Sequence, residues 1–336
     1  MERPDGASLL YIGVDVGGTN IKTGVVDDDG QSRSLVTLPT RAARGWKAGL
    51  ADIEDSIHQA ILEAGTRLEE ITAIGLATPG TMDIPAGRLL DPPNLPGWQD
   101  IPIRDMLGER LKRPTILQND ANAAAYGEYW AGAGRQAYSL VFWTLGTGVG
   151  CGIIIGETII EGEHSHGAEC GHIIVEMDGG QLCGTGQYGT LEAYAGTHAL
   201  LRDCREALDT ERESVLSGWL EAGEELTPLL IAKAAEAGDG LADDLVMQLA
   251  RYMGIGTTSL IHTIDPGMIL FGGAMTFGRN ESPLGRRFLE RVRDEVNQRA
   301  FPVPSQNVRI DYASLGGNAG FIGAAGCARL KFGPPV

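Results

Sequence analysis

A short stretch near the amino terminus has residue types and spacing that suit the handling of a phosphate. A carboxylate, Asp15, stands just before the glycine pair Gly17 and Gly18, and the small polar residues Thr19 and Asn20 follow. Glycine lets a turn approach a ligand closely, and the exposed N–H groups of such a loop suit an anion. A carboxylate beside that loop can hold a divalent cation through a hard oxygen ligand. The pattern indicates a nucleotide phosphate with Mg²⁺ at Asp15, although an ordinary hairpin can have the same composition.

Two apolar runs must position these residues. Residues 11–16 and 21–26 flank the glycine pair, so we predict a β-hairpin with the small polar residues at its tip. The same pattern recurs at 143–155, where the sequence Leu-Gly-Thr-Gly-Val-Gly joins two further apolar runs. Repetition of a phosphate-type hairpin indicates two related halves that face one nucleotide.

A second candidate for chemistry is the pair Asn119-Asp120. We predict a strand over 115–118 and a helix over 121–129. Because open α/β sheets bind ligands beyond the carboxyl ends of their strands, Asp120 is expected at the mouth of a site. The alternative is a helix N-cap, a role that Asn and Asp both favour.

Carboxylate and imidazole groups gather in a glycine-rich segment in the middle of the chain. Glu169 and His172 together can clamp adjacent hydroxyl groups, because the carboxylate accepts hydrogen bonds and the imidazole donates or accepts them. The alternative is a metal cluster that also uses His164, His166 and Cys183. The glycine-rich spacing does not place these side chains on one face of a helix, where they could converge on a metal. The hydroxyl clamp is therefore favoured.

The remaining chain reads as alternating helices and strands with glycine pairs at strand ends. Residues 91–98 are too rich in proline for a regular element, and 197–237 read as an acidic, solvated helical layer. The other predicted elements are a helix at 50–68, a strand at 71–77, a helix at 241–264, strands at 268–271 and 308–315, and a helix at 318–330. Glycine pairs follow the last two strands, at Gly272-Gly273 and Gly316-Gly317.

Composition narrows the functional class. The 336 residues carry a net charge of −17, which disfavours binding to nucleic acid or an anionic membrane. No apolar run is long enough for a membrane span, and 1–6 do not resemble a signal peptide. The 5 cysteines follow no disulfide framework, which favours the reducing cytoplasm.

Residues 184–189 match the glycine spacing of a dinucleotide-binding motif. No predicted strand leads into them, so we reject a dinucleotide site there.

The two glycine-threonine hairpins are the pattern of the sugar kinase/actin-like ATPase superfamily. Within it the chain resembles the ROK family (repressors, open reading frames, kinases) from about residue 10 to residue 326. The resemblance implies an α/β, two-domain actin-like ATPase fold, related to ribonuclease H, with a cleft between the domains. We expect a small domain at 1–136, to which the final helix at about 318–333 returns, and a large domain at 137–317.

The resemblance also implies roles for particular residues. The family pattern Asn-Asp-x-Asn-x-Ala-Ala is met at 119–125 and makes Asp120 the general base. Asn94 and Trp98 match an Asn-Leu-x-x-Trp segment that borders the sugar. The residues implied to bind sugar are Gly80, Asn94, Asn119, Asp120, Glu169, His172 and Glu192. The residues implied to bind ATP are Gly17, Gly18, Thr19, Asn20, Lys22, Thr147, Gly148, Gly150, Gly272, Gly273 and Gly317, with Asp15 for Mg²⁺.

The chain departs from its relatives where many of them bind structural zinc. Those proteins carry Cys-x-Cys-Gly-x-x-Gly-Cys-x-Glu, and its three cysteines join a histidine around the metal. Here Cys183 is followed by Thr185 and Thr190 in the other cysteine positions, which leaves His172 as the second matching ligand. Structural zinc requires four ligands, so we predict no zinc and a loop held by hydrogen bonds and packing.

The resemblance implies a transferase of carbohydrate metabolism, a glycolytic glucokinase that uses ATP and Mg²⁺ in the cytoplasm, with a homodimer expected. Kinases for N-acetylmannosamine, fructose or allose share the motifs, and polyphosphate is an alternative donor. A non-catalytic sugar sensor or a repressor is the competing class. Repressors add a helix-turn-helix module before the first hairpin, and the few residues preceding that hairpin here are too short to house one.

Overall fold

The computed structural model describes residues 8–92, 94–210 and 212–334. The segment 1–6 and Pro93, in the proline-rich loop, lie outside the described residues. The chain divides into two compact units. The first unit comprises Met1–Ala137, Gly152–Ala168 and Ala313–Val336, and the second comprises Tyr138–Cys151 and Glu169–Tyr312.

The segment 152–168 belongs to the first unit, whereas the sequence assigned it to the large domain. Two contacts explain the difference. Gln118 Nε2 donates to Glu161 Oε1 at 2.7 Å, and the Ile84 N–H donates to Ser165 Oγ at 3.0 Å. Such long-range polar contacts have no local sequence pattern.

Strands and helices alternate through most of the chain. The strands are β1 (Leu10–Val16), β2 (Asn20–Asp27), β3 (Val36–Pro39), β4 (Ile71–Thr78), β5 (Thr81–Asp83), β6 (Arg88–Asp91), β7 (Thr115–Asn119), β8 (Ser139–Leu145), β9 (Val149–Ile155), β10 (Thr158–Ile159), β11 (Met268–Gly273) and β12 (Arg309–Tyr312). The helices are α1 (Trp46–Glu63), α2 (Ile103–Leu111), α3 (Asp120–Trp130), α4 (Glu192–Ala195), α5 (Thr197–Asp209), α6 (Val215–Glu221), α7 (Pro228–Glu236), α8 (Gly240–Ile264), α9 (Pro283–Arg299), α10 (Pro302–Asn307) and α11 (Ala319–Phe332).

The two five-stranded sheets have the same topology. Their orders are β3-β2-β1-β4-β7 and β10-β9-β8-β11-β12. In the first sheet β1 is antiparallel to β2 and parallel to β4, which is parallel to β7. In the second sheet β8, β11 and β12 are parallel, and β9 is antiparallel to β10. The repeated hairpins predicted related halves, and the matching strand orders agree with that prediction.

The first sheet is covered on both faces. One face packs Ile12 and Val14 against α1 and α2 in a large apolar cluster. The other face packs Tyr11 against Phe321 of α11. Helix α11 also approaches α3 so closely that a Cβ at Gly323 would lie 1.6 Å from the Ala123 carbonyl oxygen. The glycine-rich composition of α11 is therefore what lets the two helices and the sheet meet.

Some predicted boundaries were wrong for local reasons. The helix expected at 50–68 runs from Trp46 to Glu63, because Gly45 and Gly65, at φ 79° and 64°, interrupt the helical backbone on either side. The strand expected at 308–315 is shorter, at Arg309–Tyr312.

The helical part of the second unit is less solvated than its acidic composition indicated. Helix α5 buries Leu200 and Cys204, and α7 buries Ile231 and Ala234, so each presents one apolar face to the interior. Helix α8 begins at an N-cap, where Asp239 accepts the Ala242 N–H at 2.8 Å.

Candidate functional site

The tip of the first hairpin is braced from outside the hairpin. Within the turn the Gly17 N–H donates to the Asn20 carbonyl at 2.9 Å. Thr40, which is fully buried, donates its hydroxyl to the Gly17 carbonyl at 2.6 Å and its N–H to the Thr19 carbonyl at 2.9 Å. Gly18, Thr19 and Asn20 are exposed at the tip, where their backbone can meet a ligand. Thr40 was not predicted, because nothing near it in sequence marks it.

Asp15 lies on β1 directly opposite Lys22 on β2. Burial raises the pKa of Asp15 from 3.8 to about 6, and the charge of Lys22 acts in the opposite direction. A Cβ at Gly320, in the first turn of α11, would lie 2.2 Å from Asp15 Oδ2, so the helix amino terminus abuts the carboxylate. A half-buried carboxylate of this kind gains from a cation, and one carboxylate plus substrate phosphates is a usual ligand set for Mg²⁺.

Lys22 also contacts the glycine pair near the carboxyl terminus. Its Nζ donates to the Gly317 carbonyl at 2.6 Å, within a short 3₁₀ turn at Gly316–Asn318. The backbone just before that turn is held by Glu128 of α3, a fully buried carboxylate. Glu128 accepts the Leu315 N–H at 2.6 Å and both the N–H and the hydroxyl of Ser314 at 3.1 Å. Glu128 was missed in the sequence, where it reads as an ordinary helical residue.

Asn94 lies against the first hairpin, whereas Trp98 lies in the core. A Cβ at Gly18 would lie 3.2 Å from Asn94 Cβ, so the exposed Asn94 covers the glycine turn. Trp98 is fully buried beside Gly49 of α1, and its role is core packing. Gly80 adopts φ 85° in the turn between β4 and β5.

At the start of α3 the cap is Asn119 and the first helical residue is Asp120. Asn119 Oδ1 accepts the N–H groups of Ala121 and Asn122 at 2.9 and 3.2 Å. Asp120, half-buried, accepts the Ala121 N–H at 2.8 Å through Oδ1. The capping alternative therefore applies to Asn119 and not to Asp120. Gln118 orients the segment from behind, because its Oε1 accepts the Asn119 N–H at 2.8 Å.

The strand register brings the two candidate aspartates to the same end of the first sheet, where the parallel strands finish. Asp15 pairs with Ala77 on β4, and Ala77 pairs with Gln118 on β7. Adjacent strands lie about 4.8 Å apart, so Asp15 and Gln118 are roughly 10 Å apart across the row. Asp120 follows Gln118 by two residues, at the carboxyl ends of the parallel strands.

The second hairpin is braced in the same way as the first. Thr197 donates its hydroxyl and its N–H to the Gly146 carbonyl, at 2.7 and 3.1 Å. Thr147 is exposed at the tip, and Gly150 continues β9. Gly273, with φ 89°, lies so close that a Cβ there would be 2.2 Å from the Leu145 carbonyl oxygen. The glycine pair Gly272-Gly273 therefore borders this hairpin by pairing with the end of β8.

The residues predicted to clamp hydroxyls lie against the start of β9. Glu192 Oε2 accepts the Val149 N–H at 2.9 Å, and Oε1 accepts the Cys183 thiol at 3.1 Å. A Cβ at Gly171, between Glu169 and His172, would lie 2.0 Å from the Val149 carbonyl oxygen. Glu169 is exposed and His172 is half-buried. The second unit thus brings Glu192 and the Glu169–His172 segment to one strand end.

The residues in the zinc position do not form a metal ligand set. Thr185 Oγ1 lies 3.4 Å from Cys183 Sγ and donates to Gln187 Oε1, and Thr190 is fully buried. Within residues 8–92, 94–210 and 212–334, no group of three or more His, Cys, Asp or Glu side chains is arranged to hold a metal ion. His164 and His166 lie in the first unit, whereas His172 and Cys183 lie in the second. The donors in these positions are wrong for structural zinc, because threonine hydroxyls replace two thiolates.

A cysteine pair was also not anticipated. Cys151 and Cys170 are hydrogen-bonded through their thiols, one on β9 and the other beside Glu169. Burial, followed by this hydrogen bond, raises the pKa of Cys151 well above its ordinary value, whereas the same bond lowers the pKa of Cys170. Cys170 is therefore the more acidic thiol of the pair.

No helix in the described part of the chain has the length and apolar character needed to span a bilayer. The repeated five-stranded sheet, with a glycine hairpin at its start and helices after its parallel strands, defines the class of the protein. It has the actin-like ATPase fold.

The chain belongs to the ROK family, whose pattern matches residues 11–330. It is 33% identical over 313 residues to a glucokinase of Halalkalibacterium halodurans, with 93% of each chain covered. It is also 30% identical over 269 residues to a xylose repressor of Caldicellulosiruptor bescii, which covers 80% of this chain and 65% of the repressor.

Two crystal structures resemble the fold closely. A ROK hexokinase from Thermus thermophilus has a TM-score of 0.80 at 34% identity and covers 96% of this chain and 98% of its own. A ROK family glucokinase from Streptomyces griseus in complex with glucose and AMPPNP has a TM-score of 0.78 at 34% identity, with 95% and 99% covered.

Proposed function

We propose that the protein is an ATP-dependent hexose kinase that transfers the γ-phosphoryl group to the 6-hydroxyl of glucose. The observation that carries the proposal is the row Asp15–Ala77–Gln118: it has the half-buried Asp15 at one end, and the candidate base Asp120 follows Gln118 by two residues at the other. The similarity to kinases supports the same activity, and a glucose and AMPPNP complex of one of them supports these ligands.

Asp120 accepts the proton of the attacking hydroxyl in this mechanism. It is half-buried at the start of α3, and its neighbours Gln118 and Asn119 fix the backbone that carries it. General-base catalysis contributes roughly 10²–10⁴-fold to the rate. Because Asn119 uses its Oδ1 to cap the helix, its Nδ2 is the group that can donate to the sugar.

Asp15 and Lys22 serve the phosphates. Asp15 would hold Mg²⁺, directly or through water, and the metal would supply positive charge against the phosphoryl group. Lys22 lies opposite Asp15 and adds a second positive charge beside the hairpin tip. The remaining residues proposed for the ATP site line the two hairpins and the glycine pairs: Gly17, Gly18, Thr19, Asn20, Thr147, Gly148, Gly150, Gly272, Gly273 and Gly317. Phosphoryl transfer depends mainly on such positioning and charge stabilisation.

The sugar site combines amide, carboxylate and imidazole groups. Hydroxyl groups of a hexose require paired donors and acceptors, which Glu169 and His172 supply together. The proposed sugar residues are Gly80, Asn94, Asn119, Glu169, His172 and Glu192. Glucose is the first choice, and N-acetylmannosamine, fructose and allose are the alternatives. The protein is proposed to act in the cytoplasm, since its five cysteines are buried thiols.

The similarity to a xylose repressor favours a second candidate, a sugar sensor without kinase activity. A coupled assay of ADP release across a hexose panel decides between the two, with polyphosphate as a second donor. We expect glucose to give the highest kcat/KM with ATP. Sugar binding without phosphorylation of any hexose, by either donor, would establish the sensor instead.

Asp120→Asn tests the base directly. Turnover is expected to fall by at least about 100-fold while calorimetry still detects glucose binding. Asp55→Asn, on an exposed position of α1, is the matched control and should keep full activity. Near-normal turnover of the Asp120 variant would remove that residue from the role.

A further inference from the structure

Both oxygens of the Glu192 carboxylate are occupied by donors from elsewhere in the chain. Oε2 accepts the Val149 N–H at 2.9 Å, and Oε1 accepts the Cys183 thiol at 3.1 Å. Val149 directly follows the tip of the second hairpin, and a Cβ at Gly148 would lie 2.2 Å from Glu192 Oε2. The carboxylate is therefore seated between the hairpin tip and the loop that contains Cys183.

The Cys183 thiol is itself oriented. Thr185 Oγ1 lies 3.4 Å from Cys183 Sγ but donates its one proton to Gln187 Oε1, so the Thr185 side chain packs against the sulfur. The backbone of Cys183 is closed into a turn, where its N–H donates to the Gln187 carbonyl at 2.7 Å and its carbonyl accepts the Gly186 N–H at 2.9 Å. Cys183 is buried, which leaves the thiol proton directed at Glu192.

This arrangement is chemically incompatible with zinc at the same place. A zinc-bound cysteine is a thiolate, which has no proton to give. Here Cys183 Sγ lies 3.1 Å from Glu192 Oε1, the geometry of a thiol that donates a hydrogen bond to a carboxylate. The sulfur that a metal would use is committed to a carboxylate.

We propose that Cys183 is a positioning residue for Glu192: its backbone is fixed by the turn that Gly186 and Gln187 close, and its thiol hydrogen bond orients this carboxylate without a metal. The proposal rests on the proposed function, in which Glu192 contacts the sugar. Through Val149, the same carboxylate links the sugar site to the hairpin that borders the nucleotide. Cys183 acts through Glu192 and does not touch the sugar itself.

Three variants separate positioning from simple packing. In Cys183→Ala, the KM for glucose is expected to rise about 3–10-fold, as fits the loss of one hydrogen bond, while the KM for ATP changes less than about twofold. Cys183→Ser retains a donor and should restore the KM for glucose. Cys204→Ala removes another buried cysteine of the same unit and should leave both KM values unchanged.

Equal changes in the Cys183→Ala and Cys204→Ala variants, or an unchanged KM for glucose in Cys183→Ala, would overturn the proposal. So would zinc at one equivalent per chain in the purified protein, measured by mass spectrometry. The Thr185→Cys/Thr190→Cys double variant is the positive control for metal analysis. It offers three thiols with His172 and is expected to take up zinc that the natural sequence does not bind.

A readout independent of activity keeps this test separate from the proposed function. The Raman S–H stretching band of Cys183, isolated as the difference between the natural protein and Cys183→Ala, should lie at the lowered frequency of a thiol bonded to a carboxylate. It should move to higher frequency in Glu192→Gln. If no hexose is phosphorylated but this shift is seen, the kinase assignment fails and the Cys183–Glu192 bond stands. A band that is unaffected by Glu192→Gln refutes the bond.

Discussion

The Lys22 ammonium donates to the Gly317 carbonyl at 2.6 Å, although the two residues are 295 positions apart in the chain. Lys22 also faces Asp15 across the first hairpin. One side chain thus joins the phosphate-type turn at the amino terminus to the glycine turn that leads into the last helix. Its charge lies where a nucleotide phosphate is proposed to bind.

Replacement of Lys22 by methionine tests this link. Lys22→Met keeps most of the side-chain volume but removes the charge and the hydrogen bond, so the KM for ATP should rise about 10-fold or more. The KM for glucose should change little, and steady-state kinetics with each substrate varied measures both. Lys47→Met, on an exposed position of α1, is the control. A larger effect on glucose than on ATP would contradict the assignment of Lys22.

The pKa of Asp15 predicts an unusual dependence of stability on pH in metal-free buffer. Burial raises the folded-state pKa from 3.8 to about 6, so the folded protein keeps a proton that the unfolded chain releases in this interval. Stability therefore falls as pH rises from about 4 to about 6, and the loss is complete above that pH. It amounts to about 3 kcal/mol at neutral pH.

Asp15→Asn isolates this effect from other titrating groups. In metal-free buffer the variant should be more stable than the natural protein at pH 7 and equally stable near pH 4, as measured by urea unfolding. Kinase activity should be lost, because the neutral amide is a poor ligand for Mg²⁺. A variant that is less stable than the natural protein at pH 7 would show that the ionised carboxylate is compensated in the folded state.

The two threonine braces should act on the nucleotide and not on the fold as a whole. Thr40→Val and Thr197→Val each remove a hydroxyl bond to a hairpin carbonyl, which costs about 1 kcal/mol locally and should raise the KM for ATP several-fold. Thr210→Val removes a similar hydroxyl-to-carbonyl bond at the exposed end of α5 and serves as the control. Equal kinetics in all three variants would mean that the braces do not position the turns.

Glu128 should be the most costly of these residues to change. In Glu128→Gln an NH₂ group replaces one carboxylate oxygen, so buried N–H groups of Ser314, Leu315 or Ala133 lose their acceptor. Leaving such a donor unsatisfied costs about 1–3 kcal/mol, which urea unfolding can measure. Glu63→Gln, at the exposed end of α1, should unfold like the natural protein. A Glu128 variant of normal stability would show that water or a backbone shift replaces these bonds.

Local chemistry was enough to predict the elements that carry the candidate site. The hairpin at Asp15–Lys22 was predicted from glycines between two β-branched runs. The strand before Asn119 was predicted from its apolar residues. Both signals are local, because turns and periodicity depend on residues close together in the chain. The expectation that Thr185 and Thr190 replace metal-binding cysteines came instead from the resemblance to the family. The helix predicted at 50–68 was misplaced at both ends. Its limits depend on the positive φ angles of Gly45 and Gly65, which hydrophobic periodicity does not predict.

Tertiary structure alone decided what holds those elements in place. Thr40, Glu128 and Thr197 have no local signature, because each acts on backbone far away in the chain. The shared row of Asp15 and Gln118 depends on how strands pair, and Cys183 acquires its role only by meeting Glu192. Side-chain type and spacing determine which local shapes a chain can adopt. Packing determines which donor and acceptor from distant parts of the chain pair with each other. The reason is that the folded interior must leave as few buried polar groups as it can without a hydrogen bond.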